Sequence, residues 1–391
     1  ALTRQEARGR LEEESRSLAC RRSRTMGFPK LASEAWLVVR EGPDGPVLSC
    51  SSGRDGRVPE SRSLPIASIS KVVAFLAVLR ALDRGCASLE DSVTVCPRAA
   101  RTQGSSAGLQ AKEKLSLETL LYGLMLPSGN DAGVAIAEFV GQRLLDQDVR
   151  EGSAPAAQHP GKPSSARGRL CSERAYQRFL AEMRAVASDL GCKSFDFGSP
   201  HGFSTAEDKP RPINFGSCVD VVRAVHVALA DPRFREVVRV RHWGRWGNTT
   251  LGYPAEADAP TKGSLLCDHE ALIGVKNGGS TAAKYGVSLC WERDGRRVLA
   301  CLLRAPSPAA RARDVRRLTA WVLRVPFGEA AALPPTVEDT AEQQTLEDED
   351  EDDVAQQSTD CSGTESAPEG AGAMLSATSN AIADPCIRAV P

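Results

Sequence analysis

The 391-residue chain is poor in aromatic residues, at 5%, contains no Cys-x-x-Cys pair and has no apolar run long enough to cross a bilayer. Each lack removes a class of function. A membrane-spanning helix needs about 20 consecutive apolar residues, so no transmembrane segment is expected. Scarce aromatics leave few platforms on which nucleic-acid bases could stack, and the arginines are scattered, so no nucleic acid is expected as a partner. Twelve cysteines are too few and too dispersed for a disulfide scaffold, and the five histidines (His159, His201, His226, His242 and His269) do not fall at zinc-ligand spacing. No metal and no cofactor are expected. The first thirty residues are Arg- and Glu-rich without an apolar core, so no signal peptide is visible and the compartment stays open.

What is present is unevenly distributed. From Pro334 onward 14 acidic residues face one arginine, including the run Glu347–Asp353, whereas the preceding body carries 48 basic against 36 acidic residues. The near-neutral total therefore conceals a basic body, suited to an anionic substrate or to the chain's own tail. The tail, 334–391, cannot bury a core and is expected to be disordered, as is the charged leader 1–30 apart from a helix at Glu6–Arg16.

Between them, residues 31–333 read as one body. Ala35–Val39 and Val47–Cys50 are short strands around a Gly-Pro-Asp-Gly turn. Helices are expected at Lys71–Arg84, stopped by Gly85, then over 117–145 with a break at Pro127-Ser128-Gly129, and at Ser172–Leu190, Asp220–Ala230 and Ala309–Leu323. Residues 146–168 lose periodicity and read as a surface insertion. Tyr285–Leu303 alternates around Asp294-Gly295 as a hairpin. Cys290 and Cys301 fall diagonally across it and read as buried free thiols. Strands at both ends with helices between imply one sheet whose first and last strands meet, plus a helical lobe.

Three short motifs carry chemistry. Ser68 and Lys71 stand three apart at a helix start, which puts both side chains on one face. A serine hydroxyl is a poor nucleophile unless a base takes its proton, and a lysine of lowered pKa can be that base. Alone, the pair reads more readily as a helix cap followed by a solvated lysine. Pro127-Ser128-Gly129-Asn130 is a helix-break-helix corner presenting a hydroxyl and an amide, suited to proton relay and to gripping a peptide group; its plain alternative is an N-cap. Lys276-Asn277-Gly278-Gly279 places a cation at a strand end, where glycine permits close backbone approach to a ligand. Its plain alternative is a strand-edge lysine and a turn.

Taken in order, Ser68-x-x-Lys71, Ser128-x-Asn130 and Lys276-x-Gly278 resemble the signature of penicillin-binding proteins and class A β-lactamases. The flanking stretches Pro65–Lys71, Met125–Ala132 and Phe197–Phe203 are similar to the serine D-Ala-D-Ala carboxypeptidases, the low-molecular-mass penicillin-binding proteins, as are Asp231–Phe234 and Asn248-Thr249. The resemblance covers residues 33–304. It implies an α/β (α+β) fold of the β-lactamase/transpeptidase type: an antiparallel sheet flanked by helices, and an all-helical lobe carrying Ser128. It also implies a peptide substrate ending in D-Ala-D-Ala, β-lactams as covalent inhibitors and an extracytoplasmic setting. By resemblance, Ser68 is the nucleophile, Lys71 the base and Ser128 the proton relay. Asn130 would grip the peptide, Lys276 the terminal carboxylate, and the N–H groups of Ser68 and Gly279 the oxyanion.

One position departs from the pattern. Asn277 stands where the signature has threonine, which removes a hydroxyl from the carboxylate site, with Ser280 the nearest alternative. The departure keeps two other readings open: a β-lactamase or esterase-like hydrolase of the same fold, and a catalytically silent binding module. No Glu-x-x-x-Asn follows the second motif to activate a deacylating water.

Overall fold

The computed structural model describes residues 28–42, 45–55, 58–152, 165–203, 213–251, 270–293 and 295–324. The expected helix at Glu6–Arg16, the acidic tail and the centre of the 146–168 insertion lie outside them.

Strand β1, Ala35–Gly42, pairs with β2, Gly45–Ser51. Its residues alternate between two buried faces, so the strand reads as a continuous apolar run. Trp36 and Val38 join one cluster, and Ala35, Leu37 and Val39 the other. Helix α1, Lys71–Asp83, is buried nearly all round, with Lys71 the one charged residue among its buried positions. Such a helix belongs at the centre of a domain.

The helical lobe follows. Helix α2, Leu117–Met125, is capped by Ser116, whose Oγ accepts from the Thr119 N–H at 3.0 Å. After the Pro127-Ser128-Gly129 corner comes α3, Asn130–Arg150. Helix α4, Ser165–Asp189, crosses it so closely that a Cβ at Gly141 would lie 1.9 Å from the Ala175 carbonyl oxygen. Buried Glu182 on α4 ties the lobe to α1, its carboxylate 3.1 Å from Arg84 and 2.9 Å from Arg178. These bounds narrow the expected insertion, because 146–150 complete α3 and 165–168 begin α4.

Helices α5, Cys218–Ala230, and α6, Pro232–Arg239, lead back to the sheet. Strands β3, Leu272–Ser280, β4, Lys284–Arg293, and β5, Arg296–Ala305, complete it in the order β2-β1-β5-β4-β3. Every pairing is antiparallel, and the first and last strands meet through Trp36↔Leu302 and Val38↔Ala300. Helix α7, Pro308–Arg324, covers one face through Val315, Leu318 and Val322. Its buried Asp314 accepts from the Ala32 and Ser33 N–H groups, both at 2.8 Å. On the opposite face the sheet shares a core with α1 and α5. The fold is therefore the expected antiparallel sheet flanked by helices, with a helical lobe. Cys290 and Cys301 are buried and free, and Cys301 contacts Cys218 on α5. Among the described residues no helix is long and apolar enough to cross a membrane, and no three metal-ligating side chains converge.

Candidate active site

Residues Ala67–Ser70 form a 3-10 turn that runs directly into α1 at Lys71. Ala67 sits at φ +47°, a left-handed conformation that costs a residue with a Cβ about 1–2 kcal/mol. A polar network holds it there. Ser70 Oγ donates to the Ala67 carbonyl at 2.8 Å and accepts from Asn214 Nδ2 at 2.8 Å. Asn214 also donates to Ser199 O at 2.8 Å and accepts from the Gly198 and Ser199 N–H groups at 2.9 and 3.1 Å. The Ser199–Gly202 segment presses on the turn from outside. Gly202 has φ +77°, and a Cβ there would lie 2.1 Å from the Ala67 carbonyl oxygen. Ser68, half-buried, is left with its hydroxyl 3.3 Å from the His201 carbonyl.

Lys71 is fully buried, and its Nζ lies 2.9 Å from Ser68 Oγ, 3.1 Å from Ser128 Oγ, 2.6 Å from Ser128 O and 2.8 Å from Asn130 Oδ1. Burial pushes its pKa well below the usual lysine value, the charge of Lys276 pushes the same way, and Asp131 pulls partly back. A neutral amine has two N–H groups and one lone pair. The Ser128 carbonyl and the Asn130 amide oxygen can only accept, so they take the two N–H groups. The lone pair is left for a hydroxyl, and Ser68 offers the closer one. Donor counting thus makes the neutral form of Lys71 an acceptor toward the Ser68 proton. The His201 imidazole nearby has its pKa pushed down to about 3 by burial and then by Lys71 and Arg98.

Ser128 is the second left-handed residue of the site, at φ +62° and buried. The corner is closed by the Gly129 N–H donating to Gly123 O at 2.9 Å, and a Cβ at Gly129 would lie 2.7 Å from that oxygen. Asn130 opens α3 and donates from Nδ2 to Gln103 O at 2.8 Å. The adjacent Asp131 fixes the same loop, accepting from Ser106 Oγ at 2.6 Å, Ala107 N at 2.8 Å and Leu109 N at 3.1 Å.

The third motif lies on β3, at the edge of the sheet. Lys276 is mid-strand rather than at a strand end, and it is fully buried. Its pKa is pushed down to about 7, by burial first and then by the charge of Arg311 on α7. Nζ donates to Asn277 O at 3.0 Å and to Asn277 Oδ1 at 2.7 Å. Asn277 Nδ2 in turn donates to Thr249 O at 3.1 Å. The hydroxyl of Ser280 accepts from the Ala283 N–H at 3.1 Å. Gly278 crosses the Ala67–Ser70 turn, where a Cβ would meet Ile66 O at 2.5 Å and Ile69 N at 3.2 Å. Gly279 follows it, exposed.

Ser68, Lys71, Ser128 and Asn130 thus meet at one nitrogen. Lys276 approaches from the sheet side and acts on Lys71 through charge, while Gly278 brings β3 against the turn that holds Ser68. Sequence reasoning missed Arg311, one of five arginines in α7, with nothing local to distinguish it. Its Nη1 donates to Gly286 O at 3.4 Å, and its buried Nε has no partner among the described residues. It also passed over Asn214 and the Asp131 carboxylate. Asp131 had a signal, an acidic residue in the first turn after a Pro-Ser-Gly break.

Residues 28–143 match the family described as D-alanyl-D-alanine carboxypeptidase. The chain is 27% identical over 215 residues to a D-alanyl-D-alanine carboxypeptidase of Streptomyces sp. strain K15, covering 55% of this chain and 63% of that protein. It is 24% identical over 300 residues to the carboxypeptidase DacF of Bacillus subtilis, covering 75% of this chain and again 63% of the relative. The chain therefore spans less than two thirds of the length of either. Among solved structures, the Streptomyces K15 DD-transpeptidase superimposes with a TM-score of 0.56 at 20% identity, over 76% of this chain and 99% of that one. Penicillin-binding protein D2 from Listeria monocytogenes, in an ampicillin-bound form, gives 0.53 at 21%, over 75% and 98%. The fold is that of these enzymes.

Proposed function

We propose that this chain, a relative of the D-alanyl-D-alanine carboxypeptidases, is a serine-type D-Ala-D-Ala carboxypeptidase that removes the terminal D-alanine of peptidoglycan-type peptides through an acyl-enzyme on Ser68. The observation that carries the reading is the buried Lys71 amine, 2.9 Å from Ser68 Oγ and 3.1 Å from Ser128 Oγ. Ser68 Oγ attacks the carbonyl of the penultimate D-Ala as its proton passes to the Lys71 lone pair. The oxyanion forms where the N–H groups of Ser68 and Gly279 can receive it. Collapse breaks the C–N bond. The Ser128 hydroxyl gives its proton to the departing amine and takes one from Lys71, which returns Lys71 to the neutral form. Water then attacks the ester, and its proton goes back through Lys71 to Ser68.

Binding follows from charge and from the sheet edge. The terminal carboxylate sits at Lys276, with the Arg311 guanidinium as a second cation. Asn130 grips the substrate's peptide group, and β3, the edge strand of the sheet, can pair with an extended peptide. β-Lactams would enter as the same acyl donors and remain as adducts.

The test is intact mass after incubation with a penicillin, on wild type and on Ser68→Ala, together with release of D-alanine from an acyl-D-Ala-D-Ala peptide. A one-to-one adduct on wild type alone, with D-alanine released, is the expected result. No adduct and no release would refute the reading, and rapid turnover of the penicillin would replace it by a β-lactamase. Transfer of the acyl group to an added D-amino acid would extend it to transpeptidation.

A further inference from the structure

Lys276 is a buried cation whose Nζ donates two hydrogen bonds to a neutral neighbour. Asn277 supplies both partners, its backbone carbonyl at 3.0 Å and its side-chain oxygen at 2.7 Å. Three protons are available on an ammonium, and two are committed to these oxygens. The amide oxygen therefore stands at Lys276 as a substrate carboxylate oxygen would.

The amide is not free to swing away. Its Nδ2 donates to Thr249 O at 3.1 Å, and the Asn277 N–H donates to Thr250 Oγ1 at 3.1 Å. Thr249 is itself fixed, with N–H and Oγ1 both donating to Leu126 O at 3.0 and 2.9 Å, just ahead of the Ser128 corner. Asn248, buried, locks the segment from behind by accepting from the Thr250 N–H at 3.1 Å and donating to Val240 O at 2.9 Å. One asparagine thus joins the edge strand to a segment anchored at the end of α2, with its oxygen held on the lysine.

We propose that Asn277 determines leaving-group specificity by occupying Lys276 as an internal stand-in for carboxylate, so that this cleft accepts acyl donors with an uncharged terminus almost as readily as those with a terminal carboxylate. The proposal rests on the acyl-enzyme reading above for its substrate class, acyl-D-alanyl amides and esters, but its contacts stand without it. A carboxylate that takes the amide oxygen's place on Lys276 breaks that hydrogen bond. It gains only the difference between a charge-assisted hydrogen bond and the one it breaks. A neutral terminus breaks nothing. A side chain at 277 without a carbonyl oxygen would leave Lys276 open and restore the full preference for the acid.

The experiment is a binding comparison on the full chain in a Ser68→Ala background, where nothing turns over. Acyl-D-Ala-D-Ala and its C-terminal amide are titrated by calorimetry at pH 6.5, and the ratio of the two Kd values is read. With Asn277 in place, the acid is expected to bind no more than about tenfold tighter than the amide. Asn277→Thr should raise that ratio a further tenfold or so through the acid alone, one hydrogen bond's worth. Asn277→Asp, which puts a true carboxylate on Lys276, should lower it toward or below unity. Melting curves accompany each variant, and the opposed directions of the two substitutions keep a folding defect from imitating the result. A ratio that stays constant across all three proteins overturns the proposal, as does a large ratio with Asn277 in place or a failure of every variant to bind either peptide. Penicillin adduct formation on the wild type is scored separately. Its absence, with the ratios moving as expected, would sink the hydrolase reading and leave the role of Asn277 standing.

Discussion

Replacing Lys71 by methionine separates the chemistry from the fold. Methionine fills much the same buried volume and carries no proton. Two oxygens lose a donor, Ser128 O and Asn130 Oδ1, at about 1–3 kcal/mol each. Against this, the variant no longer buries an amine whose pKa is already driven well down by desolvation and by Lys276. These terms oppose, so the net change in stability should stay within about 3 kcal/mol. The chemical loss has no such offset. A positioned general base contributes about 10²–10⁴-fold, or roughly 3–5 kcal/mol of barrier. The assay is the time course of the penicillin adduct by intact mass, which gives the second-order acylation constant, with a thermal melt alongside. The pH dependence adds a signature. The folded pKa of Lys71 is lowered, so the neutral amine is present above that depressed value and is lost as pH falls through it. Wild-type acylation should therefore drop toward acid with a limiting slope of about tenfold per pH unit, and the methionine variant should lose that limb. Acylation of Lys71→Met within tenfold of wild type, or wild-type acylation rising toward acid, would refute the assignment of Lys71 as base.

Three other outcomes follow from the same geometry. Lys276 has its pKa pushed down to about 7, so its charge is present below that value and is lost above it. The KM for an acid peptide should therefore rise between pH 7 and 9 while that for its amide twin stays level, which steady-state kinetics on the pair would check. Gly202→Ala puts a Cβ 2.1 Å from the Ala67 carbonyl at a left-handed position, and should lower stability by about 2 kcal/mol or more and kcat over tenfold, read by melt and acylation rate. Asp131→Asn leaves one acceptor oxygen where the carboxylate receives Ser106, Ala107, Leu109 and Ala132, and should cost about 2 kcal/mol by chemical denaturation.

Much of the fold was legible because burial has a period. The alternation of Trp36 and Val38 against Ala35, Leu37 and Val39 marks a strand covered on both faces, and the run from Lys71 marks a helix buried all round. The pairing of the first and last strands followed from where the strand signals fell. The flanks of the insertion were misread, since 146–150 and 165–168 are helical but too polar for their apolar spacing to show. Within the site, the residue types and their order were legible at Ser68, Lys71, Ser128 and Asn130. The partners that make them work were not. Asn214 lies 144 positions from Ser70, and Arg311 acts on Lys276 from a separate element, helix α7. Such pairings are products of topology, and no local pattern encodes them.

Backbone strain explains why the reacting groups needed those distant partners. Ala67, which precedes Ser68, and Ser128, which holds the second hydroxyl, both sit in the left-handed region, at φ +47° and +62°. Each costs about 1–2 kcal/mol against a helical or extended alternative, and alanine in particular would relax into α1 if left alone. Asn214 and Ser70 hold the first conformation from one side while Gly202 blocks its exit from the other. The second is held by the Lys71 amine, which takes the Ser128 carbonyl at 2.6 Å, and by the Gly123–Gly129 bond. On the acyl-enzyme reading proposed above, Lys71 would therefore be at once the base and the clamp on the relay. A change in its protonation alters the donor that keeps Ser128 in place, so proton transfer and the shape of the corner are coupled through a single nitrogen.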